Sequence, residues 1–145
     1  MPELVRRTLL LDTHVWIWVM DGAADRISPS ALEEVRRASA RGAVRVSAIS
    51  VWEVAMLEAK GRVRFSVEAA EWVRRGLQAP GVRLEALSPE VLVESTRLPG
   101  AIHGDPADRM IVATARRTGA TLVTRDAAVL AYAREGHLSA LDAGA

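Results

Sequence analysis

Five acidic side chains border short apolar runs. Asp105 and Asp108 lie three apart in the stretch His103-Gly-Asp-Pro-Ala-Asp-Arg-Met-Ile-Val-Ala-Thr-Ala115, and Asp12 closes the run Leu9-Leu10-Leu11. Glu53 follows the apolar stretch that begins at Val44, and Asp126 follows Leu122-Val123-Thr124. Each has an ordinary structural reading. Asp105 suits an N-cap with Pro106 at the first helical position, and Asp108 then falls in the first turn, where the helix dipole favours it. Ser50 and Glu53 have capping-box spacing. Taken together, Asp12, Glu53, Asp108 and Asp126 describe something else. In parallel α/β sheets ligands bind beyond the carboxyl ends of the strands. Asp12, Glu53 and Asp126 fall there directly, and Asp108 joins them if the loop 98–104 brings its helix to the same edge. Carboxylates gathered this way raise one another's pKa, and a hard divalent cation relieves the conflict. With oxygen ligands only, the chemistry suits Mg²⁺ or Mn²⁺ rather than Zn²⁺. Such a site commonly serves phosphoryl chemistry.

The elements that must position these acids follow from the periodicities. Thr8–Asp12 reads as a strand buried on both faces. Thr13–Met20 reads as a short buried helix broken by Asp21-Gly22. Ser28 caps a helix from Pro29 to about Ala40. Val44–Ile49 reads as a second strand, and Ser50 as the cap of a helix ending near Lys60-Gly61. Ser66 opens a helix to about Ala79. Val82–Leu87 is a third strand, and Ser88-Pro89 opens a helix to about Arg97. A helix over 106–118, stopped by Gly119, leads to a fourth strand at 120–124. A short helix from Asp126 to Ala133 precedes a weaker strand at 137–141. This alternation predicts one α/β domain, residues 1–145, with a parallel sheet.

Composition narrows the function. A chain of 145 residues with 50% hydrophobic residues supports one real core. There is no cysteine, hence no thiolate chemistry, which fits a reducing, cytoplasmic setting. No apolar run reaches the length of a membrane span, and residues 1–11 carry Glu3, Arg6 and Arg7 and do not read as a signal peptide. The net charge of +1 gives no global basic field, and Lys60 is the one lysine. Neither a G-x-x-x-x-G-K-[ST] loop nor a G-x-G-x-x-G fingerprint is present. Thr13 and His14 follow Asp12, so a haloacid-dehalogenase-type phosphatase lacks its second Asp. A receiver-like domain lacks its late lysine, and there is no G-x-S-x-G elbow.

Leu-Leu-Leu-Asp-Thr-His at 9–14, Ser-Ala-Ile-Ser-Val-Trp-Glu at 47–53, the 103–115 stretch and Leu-Val-Thr-Arg-Asp at 122–126 resemble the PIN-domain family, and within it the VapC-type toxins of bacterial toxin–antitoxin pairs. The resemblance runs over nearly the whole chain. It departs at Ala107, where this subgroup often has a large aromatic residue. It implies a three-layer fold with a five-stranded parallel sheet of order 3-2-1-4-5 flanked by helices. It also implies a Mg²⁺- or Mn²⁺-dependent ribonuclease, with Asp12, Glu53, Asp108 and Asp126 as metal-binding catalytic acids and Asp105 as an auxiliary acid. Thr13 and Thr124 would orient water or phosphate. Arg109 and Arg125 would touch phosphate or pair with the neighbouring acids, and His14 and His103 would hydrogen-bond neighbours. The implied partners are RNA, a cognate antitoxin and a second copy of the chain, with Trp16, Trp18 and Trp52 either core or interface. A housekeeping RNA-processing nuclease and a non-catalytic binding domain of the same fold are the alternatives.

Overall fold

The computed structural model describes residues 7–23, 25–102 and 104–145; the readings of the extreme N-terminus and of His103 lie outside them. The sheet is built around β1 (Leu9–Leu11), whose three leucines are all but fully buried. Successive side chains of a strand point to opposite faces, and β1 uses both. Leu9 and Leu11 pack with Trp16, Val35, Val54 and Trp72, whereas Leu10 packs with Val91, Ile111, Val129 and Tyr132. The result is three layers.

The partners of β1 are β2 (Val44–Ser47) and β4 (Thr121–Thr124), with β3 (Val82–Glu85) and β5 (Ala140–Asp142) at the edges, in order β3-β2-β1-β4-β5. Every pairing is parallel. Helices α1 (Thr13–Asp21), α2 (Pro29–Ala40), α3 (Ala48–Ala59) and α4 (Ala69–Gln78) supply one core cluster, and α5 (Pro89–Ser95), α6 (Pro106–Thr118) and α7 (Ala127–Arg134) the other. Parallel pairing sends all strand carboxyl ends to one edge. Among the described residues no helix is long and apolar enough to cross a membrane.

Several boundaries differ from expectation. β2 ends at Ser47, whose side chain accepts from Ile49 N–H and caps α3. Ser50, expected as the cap, is instead fully buried inside the helix. Two serines three apart both had the chemistry of a cap, and the earlier one holds the position. The capping box with Glu53 therefore does not form. Ser66 opens no helix; α4 starts at Ala69, and Val63, Phe65 and Val67 alternate inward against the core along the irregular segment before it. β3 and α5 are each two residues shorter than expected. β5 begins at Ala140, since His137 stacks on Tyr132 at 4.4 Å rather than joining the sheet.

Candidate active site

At the carboxyl edge of the sheet lies a cleft of about 450 Å³ lined by Asp12, Glu53, Asp105, Asp108 and Asp126, together with Thr13, His14, Trp18, Arg62 and Arg125. The short connections put three of the acids there. Asp12 separates β1 from α1 and caps it, its Oδ1 accepting from Thr13 N–H at 2.8 Å. Its Oδ2 accepts from the Thr124 hydroxyl at 2.7 Å, and the Asp126 N–H donates to that same hydroxyl at 3.0 Å. Thr124 thus ties the ends of two adjacent strands together. Asp126 caps α7, its Oδ1 accepting from Ala128 and Val129 N–H.

Glu53 comes from the second turn of α3. The Thr13 hydroxyl donates to Glu53 Oε1 at 2.5 Å and lies 2.8 Å from Ser50 Oγ. A hydroxyl has one proton, so Ser50 donates to Thr13 and Thr13 to Glu53. The buried Ser50 is thereby a support for Glu53, a role its apparent cap position concealed.

Asp108 reaches the cleft because the loop after α5 does fold back to this edge. Arg109 holds it: Nε donates to Ser95 O at 2.8 Å and a terminal nitrogen to Ile102 O at 2.9 Å. This corrects the expectation for Arg109. Its guanidinium pairs neither with an acid nor with the open cleft; it braces α6 against the preceding loop. Asp105 caps α6, accepting from Asp108 N–H at 2.8 Å. Gly104 is also required here, since a Cβ would stand 2.9 Å from Asp108 Cβ.

The carboxylates are in electrostatic conflict. Burial, and then the charges of Asp105, Asp12, Glu53 and Asp126, push the Asp108 carboxyl up to about 7. Burial raises Asp12, against the lowering effect of the Thr124 hydrogen bond. Burial likewise raises Glu53, against Thr13. Glu53, Asp105 and Asp108 each offer an oxygen within 4.8 Å of the others, a group able to hold a metal ion. Asp105, expected only as an auxiliary acid, is thus part of the tightest cluster. An all-oxygen donor set with unrelieved negative charge fits a hard divalent cation.

The aromatics divide. Trp16 and Trp72 are core, packed edge to face at 4.9 Å, which removes Trp16 from any interface. Trp18 lines the cleft between His14 and Arg125, and Trp52 is 56% exposed. Val15, Met56, Leu57 and Arg62 also line the cleft without a motif to mark them; for Arg62 the signal was Gly61, which closes α3 and turns the chain back.

Residues 9–135 match the PIN domain, and the chain belongs to the PIN-domain family. Its nucleases are metal-dependent, in keeping with the acidic cluster. The chain is 35% identical over 119 residues to ribonuclease VapC22 of Mycobacterium tuberculosis, covering 82% of this chain and 87% of that one. It is therefore a relative of the VapC ribonucleases. The fold matches chains in VapBC2 from Rickettsia felis bound to a promoter DNA fragment (TM-score 0.64, 15% identity, 92% of this chain and 97% of that one). It also matches DNA-bound VapBC from Salmonella typhimurium (TM-score 0.64, 16% identity, 94% and 98%).

Proposed function

We propose that the chain is a Mg²⁺- or Mn²⁺-dependent ribonuclease that hydrolyses RNA phosphodiester bonds as the toxin of a toxin–antitoxin pair. The observation that carries this reading is the convergence of five carboxylates on one cleft, with Asp108 held near neutrality in its pKa. Glu53, Asp105 and Asp108 would hold the cation, with Asp12 and Asp126 completing its surroundings. When bound there, the cation would supply positive charge against the scissile phosphate and acidify a water. The protein's own contribution is preorganisation. Thr124 fixes the Asp12 carboxylate and the Asp126 backbone, Thr13 and Ser50 fix Glu53, and Arg109 sets the depth of α6. Carboxylates held in this way need little rearrangement on loading.

The identity with VapC22 supports the toxin reading. A cognate antitoxin would complete the pair, with an arginine placed among the acids to pair with Asp12 or Asp108. A homodimer is the assembly expected with this reading, and Trp52, 56% exposed, is a candidate contact. Expression from a tight promoter tests the reading. The parent should arrest growth and degrade RNA, Asp12→Asn should do neither, and co-expressing a cognate antitoxin should restore growth. Harmless growth of the parent at full expression, with intact RNA, would count against the toxin.

A further inference from the structure

Resting on the ribonuclease reading above, we infer that the segment from Lys60 to Arg64 is a phosphate rail that lays a single-stranded RNA across the acidic cleft, with Arg62 gripping a phosphate beside the scissile one. A polyanion has to approach five carboxylates, so cations on the cleft wall decide where it lies. Among the described residues the arginines lining the cleft are Arg62 and Arg125. Arg125 is already engaged: it donates to Arg26 O at 2.9 Å and lies over the Trp18 ring at 5.8 Å. Arg62 is exposed, and among the described residues its guanidinium makes no hydrogen bond or ion pair.

The backbone that carries Arg62 is well fixed. Gly61 adopts the left-handed conformation (φ 72°). Its N–H donates to Glu58 O at 3.0 Å, and Arg62 N–H donates to Leu57 O at 2.9 Å. These two bonds close α3 as a Schellman turn and fix the direction in which the chain leaves the helix. Val63 and Phe65 then pack into the core, Phe65 stacking on Trp72 at 4.6 Å. With Val63 and Phe65 inward, Arg62 and Arg64 are both exposed, as is Lys60 at the end of α3. Lys60, Arg62 and Arg64 thus put three exposed cations on one short segment with no acid between them, and of the three Arg62 lines the cleft. Elsewhere the exposed arginines Arg37, Arg74 and Arg75 pair with glutamates on their own helices. A row of exposed cations on an anchored loop tracks one sugar–phosphate backbone, which favours a single strand over a duplex.

Binding of a fluorescein-labelled single-stranded RNA of about 12 nucleotides tests this, in the Asp12→Asn background with Mg²⁺ so that the RNA stays intact. Arg62→Ala should weaken binding about tenfold whatever the sequence, and reduce the slope of log affinity against log salt by about 0.7. Arg62→Lys should recover most of the loss. Arg97→Ala, outside the cleft, should match the background. Equal affinity and slope for Arg62→Ala and Arg97→Ala, in a background that binds RNA, would overturn the rail alone. So would a loss of antitoxin affinity with RNA affinity unchanged. A background that binds no RNA at any salt, beside a parent that cuts none, overturns the rail and the ribonuclease reading together.

Discussion

Replacing Asp108 by Asn should stabilise the metal-free protein, and the size of the effect follows from its surroundings. Its carboxyl has a pKa of about 7 in the fold against 3.8 in an unperturbed setting. Below pH 3.8 the group is protonated in both folded and unfolded chains and contributes nothing. As pH rises, the unfolded chain releases the proton while the fold retains it, so folding loses stability progressively. The loss is complete above about pH 7. The full difference corresponds to about 4 kcal/mol. Because the group is only half-buried, solvent screening reduces this to about 2 kcal/mol. Asn keeps the shape without the charge. In EDTA at pH 8 the variant should melt about 6 °C above the parent, and the gap should close at pH 4. Adding Mg²⁺ or Mn²⁺ at pH 8 should raise the parent's midpoint and leave the variant nearly unmoved. A parent as stable as the variant in EDTA at pH 8, or one indifferent to millimolar metal, would refute the idea that these carboxylates strain the fold.

Two further substitutions probe the supports. Thr124→Val removes the donor to Asp12 and the acceptor for Asp126 N–H without changing shape. It should lower RNA cleavage about 10- to 100-fold, and unchanged kinetics would show that Thr124 is packing only. Gly76→Ala would bring a Cβ to 2.8 Å from Trp16 Cζ2. Overpacking of about 1–3 kcal/mol exceeds the helix-propensity gain of about 1 kcal/mol, so a urea melt should show a lower midpoint at unchanged slope. A higher midpoint would mean that the buried indole can move aside.

Strong, local signals were the ones legible in the sequence. Leu9-Leu10-Leu11 before Asp12 announced a central strand with an acid at its carboxyl end, and Asp105-Pro106 announced the start of α6 to the residue. What stayed hidden depends on contacts distant in sequence. Ser47 and Ser50 compete for one cap, and only the fold shows that Ser50 serves Thr13, 37 positions away. Arg109 sits beside Asp108 in sequence, yet its partners are carbonyls of Ser95 and Ile102, set by the path of a loop. Asp105 read as a simple cap because one of its oxygens is one; its carboxylate also lies beside those of Glu53 and Asp108 through a helix placement that periodicity does not encode. Arg62 lacked any motif, and its place in the cleft follows from the turn at Gly61.

The most direct measurement is cleavage of a labelled RNA by purified protein as Mn²⁺ is titrated, with parent, Asp12→Asn and Asp108→Asn in parallel. The parent should cut RNA only with metal and stop on adding EDTA. Both variants should be slower by at least about 100-fold, roughly 2.7 kcal/mol of transition-state stabilisation. Cleavage that persists in EDTA, or variants that cut at the parental rate, would contradict the metal-dependent ribonuclease reading.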